Sequence, residues 1–306
     1  MTVAGGTDFV GRHRELAAVR DVLRAVQSGA ASTLVVTGEA GVGKTALIDK
    51  ALATLDGDWH VLRGAGLPLS SMSVPFLALR SAMAALSGDS RVPPSPLTDG
   101  AGPHSQVPLE VDAWISGLAG DKPVALVVDD LHWADQGTLD VLMYLIAGRR
   151  DRRLGLLATV RRDEAPEGHP MHRWLADVRR MPAFTPLTLA PLDRVETGHQ
   201  LAGILGARPH ESLVDEIFEH TQGNSYFNRL LVTDLDPTAR RLPQHYPDDL
   251  EAAVLANWHG LPGGARELTK VIAIGGRGLT GRDLAELVAD RLPAVDLTEL
   301  LDVATS

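Results

Sequence analysis

Two kinds of apolar pattern alternate along the first 190 residues of the chain. Short runs of consecutive apolar residues predict buried β-strands, and apolar residues that return every three or four positions predict amphipathic helices. Strands are predicted at residues 33–37, 59–63, 123–128, 154–160 and 184–189. Helices are predicted at about residues 13–28, 46–55, 75–87, 108–117, 135–148 and 170–181. Strands that alternate with helices are typical of a doubly wound α/β fold with a parallel sheet, here over about residues 30–190.

The pattern changes after Leu192. Strand signals end there, residues 193–234 predict two or three amphipathic helices, and residues 236–247 have the composition of a linker before a mostly helical stretch. The chain is therefore divided into a core at 1–192, a helical part at 193–235 and a second helical part at 236–306. Within the core, residues 88–108 hold five Pro and three Gly, which predict a mobile surface loop.

The segment after the first predicted strand, GEAGVGKT, fits the phosphate-binding pattern G-x4-G-K-[ST] in full. Glycines let the backbone curl so that successive N–H groups face phosphate oxygens, and the following helix adds its positive N-terminal end. Lys44 is expected to reach the β- and γ-phosphates, and the Thr45 hydroxyl to ligate Mg²⁺. The predicted nucleotide-binding residues of this segment are Gly38, Glu39, Ala40, Gly41, Val42, Gly43, Lys44, Thr45 and Ala46. A glycine turn that matches by chance is the alternative, and the strand before it and the helix after it favour the phosphate site.

Two carboxylates, Asp129 and Asp130, follow the third predicted strand. A P-loop enzyme needs one carboxylate for the Mg²⁺ shell and a second group that orients or deprotonates the attacking water. We assign Asp129 to the metal and Asp130 to the base; a solvated strand end is the alternative. At the end of the fourth strand, Thr159 and Arg161 are placed where the sheet edge would meet the γ-phosphate, and a guanidinium there would sense or stabilise its charge.

Composition narrows the class of protein. The 306 residues are 44% hydrophobic and 22% charged, which is sufficient for folded cores and argues against disorder throughout. Lys and Arg number 29 against 39 Asp and Glu, and the net charge of −10 argues against the whole chain being a nucleic-acid binder. The chain has no Cys, which excludes a disulfide framework, a thiol nucleophile and a Cys-based zinc site. No apolar run approaches the roughly 18 residues of a membrane helix, and the first residues lack the pattern of a signal peptide, so we expect a cytoplasmic protein without a membrane partner.

Several motifs in one order give the chain a family resemblance. They are FVGR at 9–12 with EL at 15–16, GEAGVGKT at 38–45, LVVDDLHWAD at 126–135, ATVR at 158–161 and Gly223-Asn224. Together they resemble the ATPase domain of the large ATP-binding regulators of the LuxR type, which belong to the signal-transducing AAA-related ATPases. The similarity covers roughly residues 8–305. It implies an AAA-like P-loop core, a helical lid at 193–235 and, at 248–305, the start of a winged-helix segment.

The resemblance also implies roles for matching positions. Phe9, Val10 and Arg12 would lie near the adenine, and Asn224 would lie in the lid that closes over the nucleotide. Ser225 stands where the family usually has Pro. For the phosphate loop, Asp129, Asp130 and Arg161, the implied roles agree with those assigned above from the residues themselves.

These features predict an ATP-driven switch: the nucleotide-binding part of a transcriptional regulator. ATP and Mg²⁺ would bind between sheet and lid, order the lid and favour self-association, and slow hydrolysis to ADP would reset the state. Nothing in the sequence resembles the DNA-binding module of these regulators, so we do not expect this chain itself to bind DNA. A stand-alone ATPase that couples hydrolysis to work on a partner protein is the alternative. A scaffold that binds nucleotide without hydrolysing it is a third interpretation.

Overall fold

The structure, a computed structural model, describes most of the predicted core and the first helical part. The described residues are 11–55, 58–68, 74–86, 92–97, 106–161, 168–233 and 235–243, with Leu255, Arg266 and Thr269. Phe9 and Val10 lie outside the described residues, and so does the predicted winged-helix segment at 248–305 apart from the three single residues.

The predicted strands and helices are present. Within the described residues, the strands are β1 (Ser32–Thr37), β2 (His60–Ala65), β3 (Val124–Asp129), β4 (Leu154–Val160) and β5 (Phe184–Thr188). The helices there are α1 (His13–Gln27), α2 (Lys44–Leu52), α3 (Leu77–Ala84), α4 (Val107–Asp121), α5 (Gln136–Ala147), α6 (Pro170–Val178), α7 (Arg194–Leu205), α8 (Glu211–Thr221) and α9 (Ser225–Val232). A 3-10 turn at Leu131–Trp133 follows β3. The predicted elements of the core are therefore confirmed, and their ends differ from the predicted ones by a few residues.

The five strands form one parallel sheet in the order β2-β3-β4-β1-β5. β3 and β4 are buried along their whole length, as their near-continuous apolar sequences predict for strands covered on both faces. The register pairs Thr37 of β1 with Val160 of β4, and Val128 of β3 with Ala158 of β4. Because all strands run in the same direction, the segments that follow β1, β3 and β4 leave the sheet at one edge. The glycine-rich segment and the two Asp therefore meet there.

Helices cover both faces of the sheet, which confirms the doubly wound arrangement. On β3, Leu126 and Val128 belong to a core shared with α3, α4, α5 and α6. Val127, between them, belongs to the opposite core, which is shared with α1 and α2. The alternation follows from the strand itself, because successive side chains point to opposite faces.

Part of the predicted surface loop at 88–108 packs into the core. Leu97 is 4% exposed and belongs to the same core as α3 and α4. Trp114 of α4 donates its indole N–H to the carbonyl oxygen of Pro93 at 2.9 Å. The surface assignment is therefore wrong at Leu97. Pro and Gly indicate turns, but composition does not show that an apolar residue among them has a partner elsewhere in the chain.

The three helices α7 to α9 form a separate unit, called here the three-helix unit, with a small core of its own. Its buried residues include Leu201, Ile217 and Leu231, one from each helix. α7 begins with a capping box, in which Asp193 accepts from the N–H of Glu196 and Glu196 accepts from that of Asp193. The prediction of two or three helices over residues 193–234 is confirmed, with three among the described residues of that range.

Among the described residues, no helix combines the length and the apolar character needed to cross a membrane.

The close packing of β2 against α3 generates a stability prediction. A Cβ on Gly64 would lie 1.8 Å from the carbonyl oxygen of Ala78, which is backbone and cannot rotate away. We expect Gly64→Ala to lower the free energy of unfolding by about 2 kcal/mol or more, measured by urea denaturation. Gly117, on the exposed side of α4, has no atom within 4 Å of its Cβ position. The matched control Gly117→Ala should therefore raise the free energy of unfolding by roughly 0.5–1 kcal/mol. Equal effects of the two substitutions would contradict the packing described here.

Candidate functional site

The glycine-rich segment curls between β1 and α2. Gly41 and Gly43 have φ of +76° and +98°, a backbone region that residues with a side chain adopt only with strain. A Cβ on Gly41 would also lie 2.5 Å from the Asn224 side-chain oxygen, and one on Gly38 would lie 2.5 Å from the Leu189 carbonyl oxygen. Both the conformation and the close packing therefore require glycine. Gly43 is the N-cap of α2, and as a glycine it has no side chain to cap the first amides of that helix.

Lys44 spans the loop from its C-terminal end. The residue is 6% exposed, and its ammonium group donates to the carbonyl oxygens of Gly38 at 2.8 Å and Glu39 at 2.6 Å. These bonds hold the start of the loop against the start of α2. They also keep a positive charge within the curl, where the glycine pattern predicts phosphate oxygens.

The next two carbonyl groups are bonded by the N-terminus of α9. Asn224 donates its side-chain amide to the carbonyl oxygen of Ala40 at 2.8 Å. The Ser225 hydroxyl and the Tyr226 N–H both donate to the carbonyl oxygen of Gly41, at 2.7 Å and 3.0 Å. The three-helix unit therefore touches the loop directly.

Taken together, the carbonyl groups of four consecutive residues, 38–41, accept hydrogen bonds from Lys44 or from α9. Carbonyl oxygens repel phosphate oxygens, so a loop whose carbonyls are engaged with other donors suits an anion. The uncapped N-terminus of α2 adds partial positive charge at the same place. The residues present fit a phosphate group.

Asp129, the last residue of β3, is the main acceptor at the sheet edge. Its Oδ1 accepts hydrogen bonds from the Thr45 hydroxyl at 3.1 Å and the Thr159 hydroxyl at 3.2 Å. Thr45 and Asp129, which the sequence predicts as Mg²⁺ ligands, are thus brought together from α2 and β3. A hydroxyl and a carboxylate are oxygen donors of the kind that Mg²⁺ prefers, so this pair fits the ion.

Arg63 of β2 also contacts Asp129, a contact that the sequence did not predict. Its Nη1 donates to Asp129 Oδ2 at 2.8 Å, and its Nη2 donates to a carboxylate oxygen of Asp49 on α2. The register of the sheet explains the first contact, because Ala65, two residues after Arg63, pairs with Asp129. The signal in the sequence was a charged residue near the end of a predicted strand, but its neighbour was unknown without the strand order.

The environment of Asp129 acts on its charge in two directions. Burial raises the pKa of Asp129 above its ordinary value of 3.8. The Arg63 charge opposes that rise, as do the hydrogen bonds from Thr45 and Thr159. The negative charge of the nearby Asp49 carboxylate raises the pKa of Asp129 further. Burial therefore disfavours the negative charge of Asp129, and the hydrogen bonds from Arg63, Thr45 and Thr159 stabilise that charge.

Asp130 lies next to Asp129 in an unusual backbone conformation, with φ of +51°. Its N–H donates to the Thr159 hydroxyl at 2.9 Å, and its Oδ1 lies 3.4 Å from Nε of Arg161. Thr159 is buried, and its hydroxyl bonds both the N–H of Asp130 and the carboxylate of Asp129, so it fixes that carboxylate relative to the Asp130 backbone. The role of Thr159 and Arg161 as sensors of the γ-phosphate stays a prediction.

Arg12 ties the start of α1 to the segment after β5. Its guanidinium donates to the carbonyl oxygen of Ala190 and lies 3.6 Å from the Glu15 carboxylate, and the residue is 7% exposed. These contacts give Arg12 a structural partner on the core. The predicted approach of Arg12, Phe9 and Val10 to the adenine stays a prediction, and the last two lie outside the described residues.

A cavity of about 460 Å³ opens beside the first half of the loop. Its lining comes from the end of β1 and the loop, from the segment after β5 and from α6: Thr37, Gly38, Glu39, His172, Thr188, Leu189, Ala190 and Pro191. A volume of this size is within the range of small-molecule sites. It lies at the start of the loop, on the side of β5, rather than beside Asp129.

Residues 8–158 match the family described as the AAA ATPase domain. The matched stretch includes the glycine-rich loop, Asp129 and Asp130, and it ends within β4. No curated protein sequence matches the chain. The family match supports the P-loop ATPase core predicted from the sequence.

Solved structures show the same fold. The Walker-type ATPase of Pyrococcus abyssi is 13% identical with a TM-score of 0.59, over 97% of this chain and 89% of that one. The ORC1 protein of Aeropyrum pernix, solved in complex with DNA, is 15% identical with a TM-score of 0.53. That match covers 97% of this chain and 82% of the ORC1 chain. A signal transduction ATPase with numerous domains (STAND) and a tetratricopeptide repeat sensor, from Pyrococcus horikoshii, is 17% identical with a TM-score of 0.50. That match covers 97% of this chain, which spans only 39% of the length of the STAND protein.

At these identities the likeness shows the fold alone: an α/β fold with a parallel five-stranded sheet, as in P-loop ATPases. The family match and the loop geometry support an ATPase domain of the AAA type.

The burial of Asp129 generates a prediction about pH. The folded-state pKa of Asp129 is raised, so between the unfolded and the folded pKa the folded protein holds more protons than the unfolded chain. The contribution of Asp129 to the free energy of unfolding therefore falls as the pH rises through that window. Asn at this position does not titrate. We expect the stability of Asp129→Asn, relative to the original protein, to increase from about pH 4 to about pH 7, measured by urea denaturation in EDTA.

The control is Asp151→Asn. Asp151 is exposed, and the hydrogen bond from Arg149 lowers its pKa, so this variant should show a small slope of the opposite sign. A flat or falling difference for Asp129→Asn would contradict the described burial.

Proposed function

We propose that this chain is the ATP-binding, slowly hydrolysing switch module of a LuxR-type transcriptional regulator, in which ATP and Mg²⁺ control conformation and self-association. The observation that carries the proposal is the contact between the phosphate loop and α9. Asn224, Ser225 and Tyr226 donate to loop carbonyls of Ala40 and Gly41. A change in the loop would therefore act on the three-helix unit, to which we assign the role of the lid.

The nucleotide would be held first by its phosphates. Residues 38–46 would surround them, with Lys44 as the positive side chain, and Thr45 and Asp129 would hold Mg²⁺. When bound, Mg²⁺ offsets part of the phosphate charge. The support for this assignment is the 3.1 Å hydrogen bond that already joins Thr45 to Asp129.

Asp130 would act as the base and Arg161 as the γ-phosphate contact. The two side chains form an ion pair at 3.4 Å, so a γ-phosphate competes with Asp130 for Arg161. When Arg161 turns toward the phosphate, it leaves Asp130. The Asp130 carboxylate can then accept a proton from the attacking water. The ion pair restrains the base until a triphosphate is present. This arrangement suits a slow ATPase that reports on its nucleotide.

The three-helix unit would act as the lid. Its α9 is positioned by a buried polar network, because Asn228 donates to Gln200 at 2.9 Å and Gln200 donates to the carbonyl oxygen of Ser225 at 3.0 Å. This network joins the start of α9 to Gln200 of α7, so we expect a displacement of Asn224 to reach α7 through it. ATP would order this unit and favour a self-associating state, and ADP would not.

The alternative, a stand-alone ATPase that works on a partner protein, uses the same site. The absolute rate of ATP hydrolysis distinguishes the switch from the stand-alone ATPase. Turnover of about 1 s⁻¹ or more without any partner favours the enzyme, and a much slower rate favours the switch.

The experiment compares three proteins by thermal unfolding and phosphate release. ATP with Mg²⁺ at about a hundredfold excess over Kd should stabilise the original protein by about 2.7 kcal/mol and raise its Tm by several degrees. Lys44→Ala should lose this shift, because it removes the charge within the loop and two of the loop's hydrogen bonds. Asp130→Asn should keep the shift and lose phosphate release by about a hundredfold or more.

Asn tolerates the positive φ of residue 130, so Asp130→Asn tests the carboxylate rather than the backbone. Equal thermal shifts for the original protein and Lys44→Ala would contradict the site. Unchanged phosphate release in Asp130→Asn would contradict the assigned base.

A further inference from the structure

Arg63 lies at the sheet edge, and the proposed function gives it no role. It comes from β2, a strand that contributes nothing else to the site described above. Its guanidinium is divided between two carboxylates, Asp129 on β3 and Asp49 on α2. The planar fork of arginine allows this, since each terminal nitrogen can serve a different acceptor.

The two carboxylates differ in their surroundings. The side chain of Asp129 is 11% exposed and that of Asp49 is 55% exposed, with Arg63 between them at 35%. Asp49 therefore exchanges readily between Arg63 and water, whereas Asp129 depends on protein donors. Arg63 has enough solvent access to move from one partner to the other.

The oxygens of Asp129 are divided between two kinds of donor. Oδ1 takes the hydroxyls of Thr45 and Thr159, and Oδ2 takes Arg63. A divalent cation placed next to this carboxylate would meet the Arg63 charge at close range, and like charges repel. The cation and Arg63 cannot both have full use of Asp129.

We propose that Arg63 is an exchangeable counter-ion: it neutralises Asp129 when no metal is bound and moves fully onto Asp49 when Mg²⁺ arrives with the nucleotide. Asp49 is on the same helix as Lys44 and Thr45, so the residue that receives Arg63 is part of the element that holds the phosphates. Arg63 thereby sets the Mg²⁺ concentration at which the site closes around a nucleotide. This inference rests on the nucleotide and magnesium site proposed above.

The test measures ADP binding by calorimetry at about pH 8 over a range of free Mg²⁺ concentrations. The readout is the Mg²⁺ concentration at the midpoint of the increase in affinity, together with the affinity in EDTA. Arg63→Gln should lower the midpoint about threefold or more, because the competing charge is gone. Its affinity for ADP in EDTA should stay within about twofold of the original, since Arg63 contacts the carboxylates and not the loop.

Asp49→Asn should raise the Mg²⁺ concentration at the midpoint. Of the two carboxylates that Arg63 contacts, only Asp129 then remains, so Arg63 competes with Mg²⁺ more strongly. The decisive protein is the double variant. If Arg63 exchanges between the two carboxylates, Asp49→Asn has no effect once Arg63 is Gln. If Arg63 and Asp49 are fixed charges that act on Mg²⁺ independently, the effects of the two single substitutions add in the double variant, and the proposal is overturned.

A raised midpoint for Arg63→Gln overturns it as well, since that result makes Arg63 a residue that positions Asp129. Arg24→Gln is the charge-matched control, because Arg24 pairs with Asp21 on the exposed side of α1, and it should leave the midpoint unchanged. Arg63→Met keeps the aliphatic stem and repeats the test if the Gln variant unfolds early. Absence of ADP binding by the original protein overturns the proposed function itself, whereas additive effects with normal binding overturn only the role of Arg63.

Discussion

The structure depends on the hydrogen bonding of one short stretch of backbone, the carbonyl groups of residues 38–41. Lys44 bonds the first two, and the N-terminus of α9 bonds the next two. A curled loop between a strand and a helix would otherwise present these oxygens without partners or turn them toward an anion. Together with the Tyr226 N–H, which also donates to Gly41, these bonds number five. They shape the phosphate site, and the three from the N-terminus of α9 join it to the three-helix unit. Nucleotide binding at the loop and movement of the three-helix unit are therefore expected to be coupled.

Asp129 provides the second connection, on the other side of the loop. It joins three strands and one helix, since its partners are Thr45 of α2, Thr159 of β4 and Arg63 of β2. A buried carboxylate with these donors is sensitive to any cation that approaches it. The parallel register makes the arrangement possible, because it brings the ends of β1, β3 and β4 to one edge.

Much of this was predictable from the sequence. The turn at the glycine pattern, the buried strand before Asp129 and the alternation of strands and helices follow from local signals, and the fold confirms these elements. Arg63 was not predictable, because its contact depends on β2 lying next to β3, which local periodicity does not encode. The bond from Asn224 to Ala40 joins residues 184 positions apart and depends on how the three-helix unit docks on the core. Leu97 was missed for a related reason, since composition alone does not reveal a distant packing partner.

The most direct test of the account is hydrogen exchange at the start of α9, where the Tyr226 N–H is bonded to the Gly41 carbonyl oxygen. The measurement uses Asp130→Asn protein, so that ATP persists, and compares ATP, ADP and no nucleotide in the presence of Mg²⁺. The account predicts that ATP slows exchange over residues 225–228 more than ADP does, and that Lys44→Ala abolishes the difference. Identical exchange in the three states, with nucleotide shown to be bound, would contradict coupling between the phosphate loop and the three-helix unit.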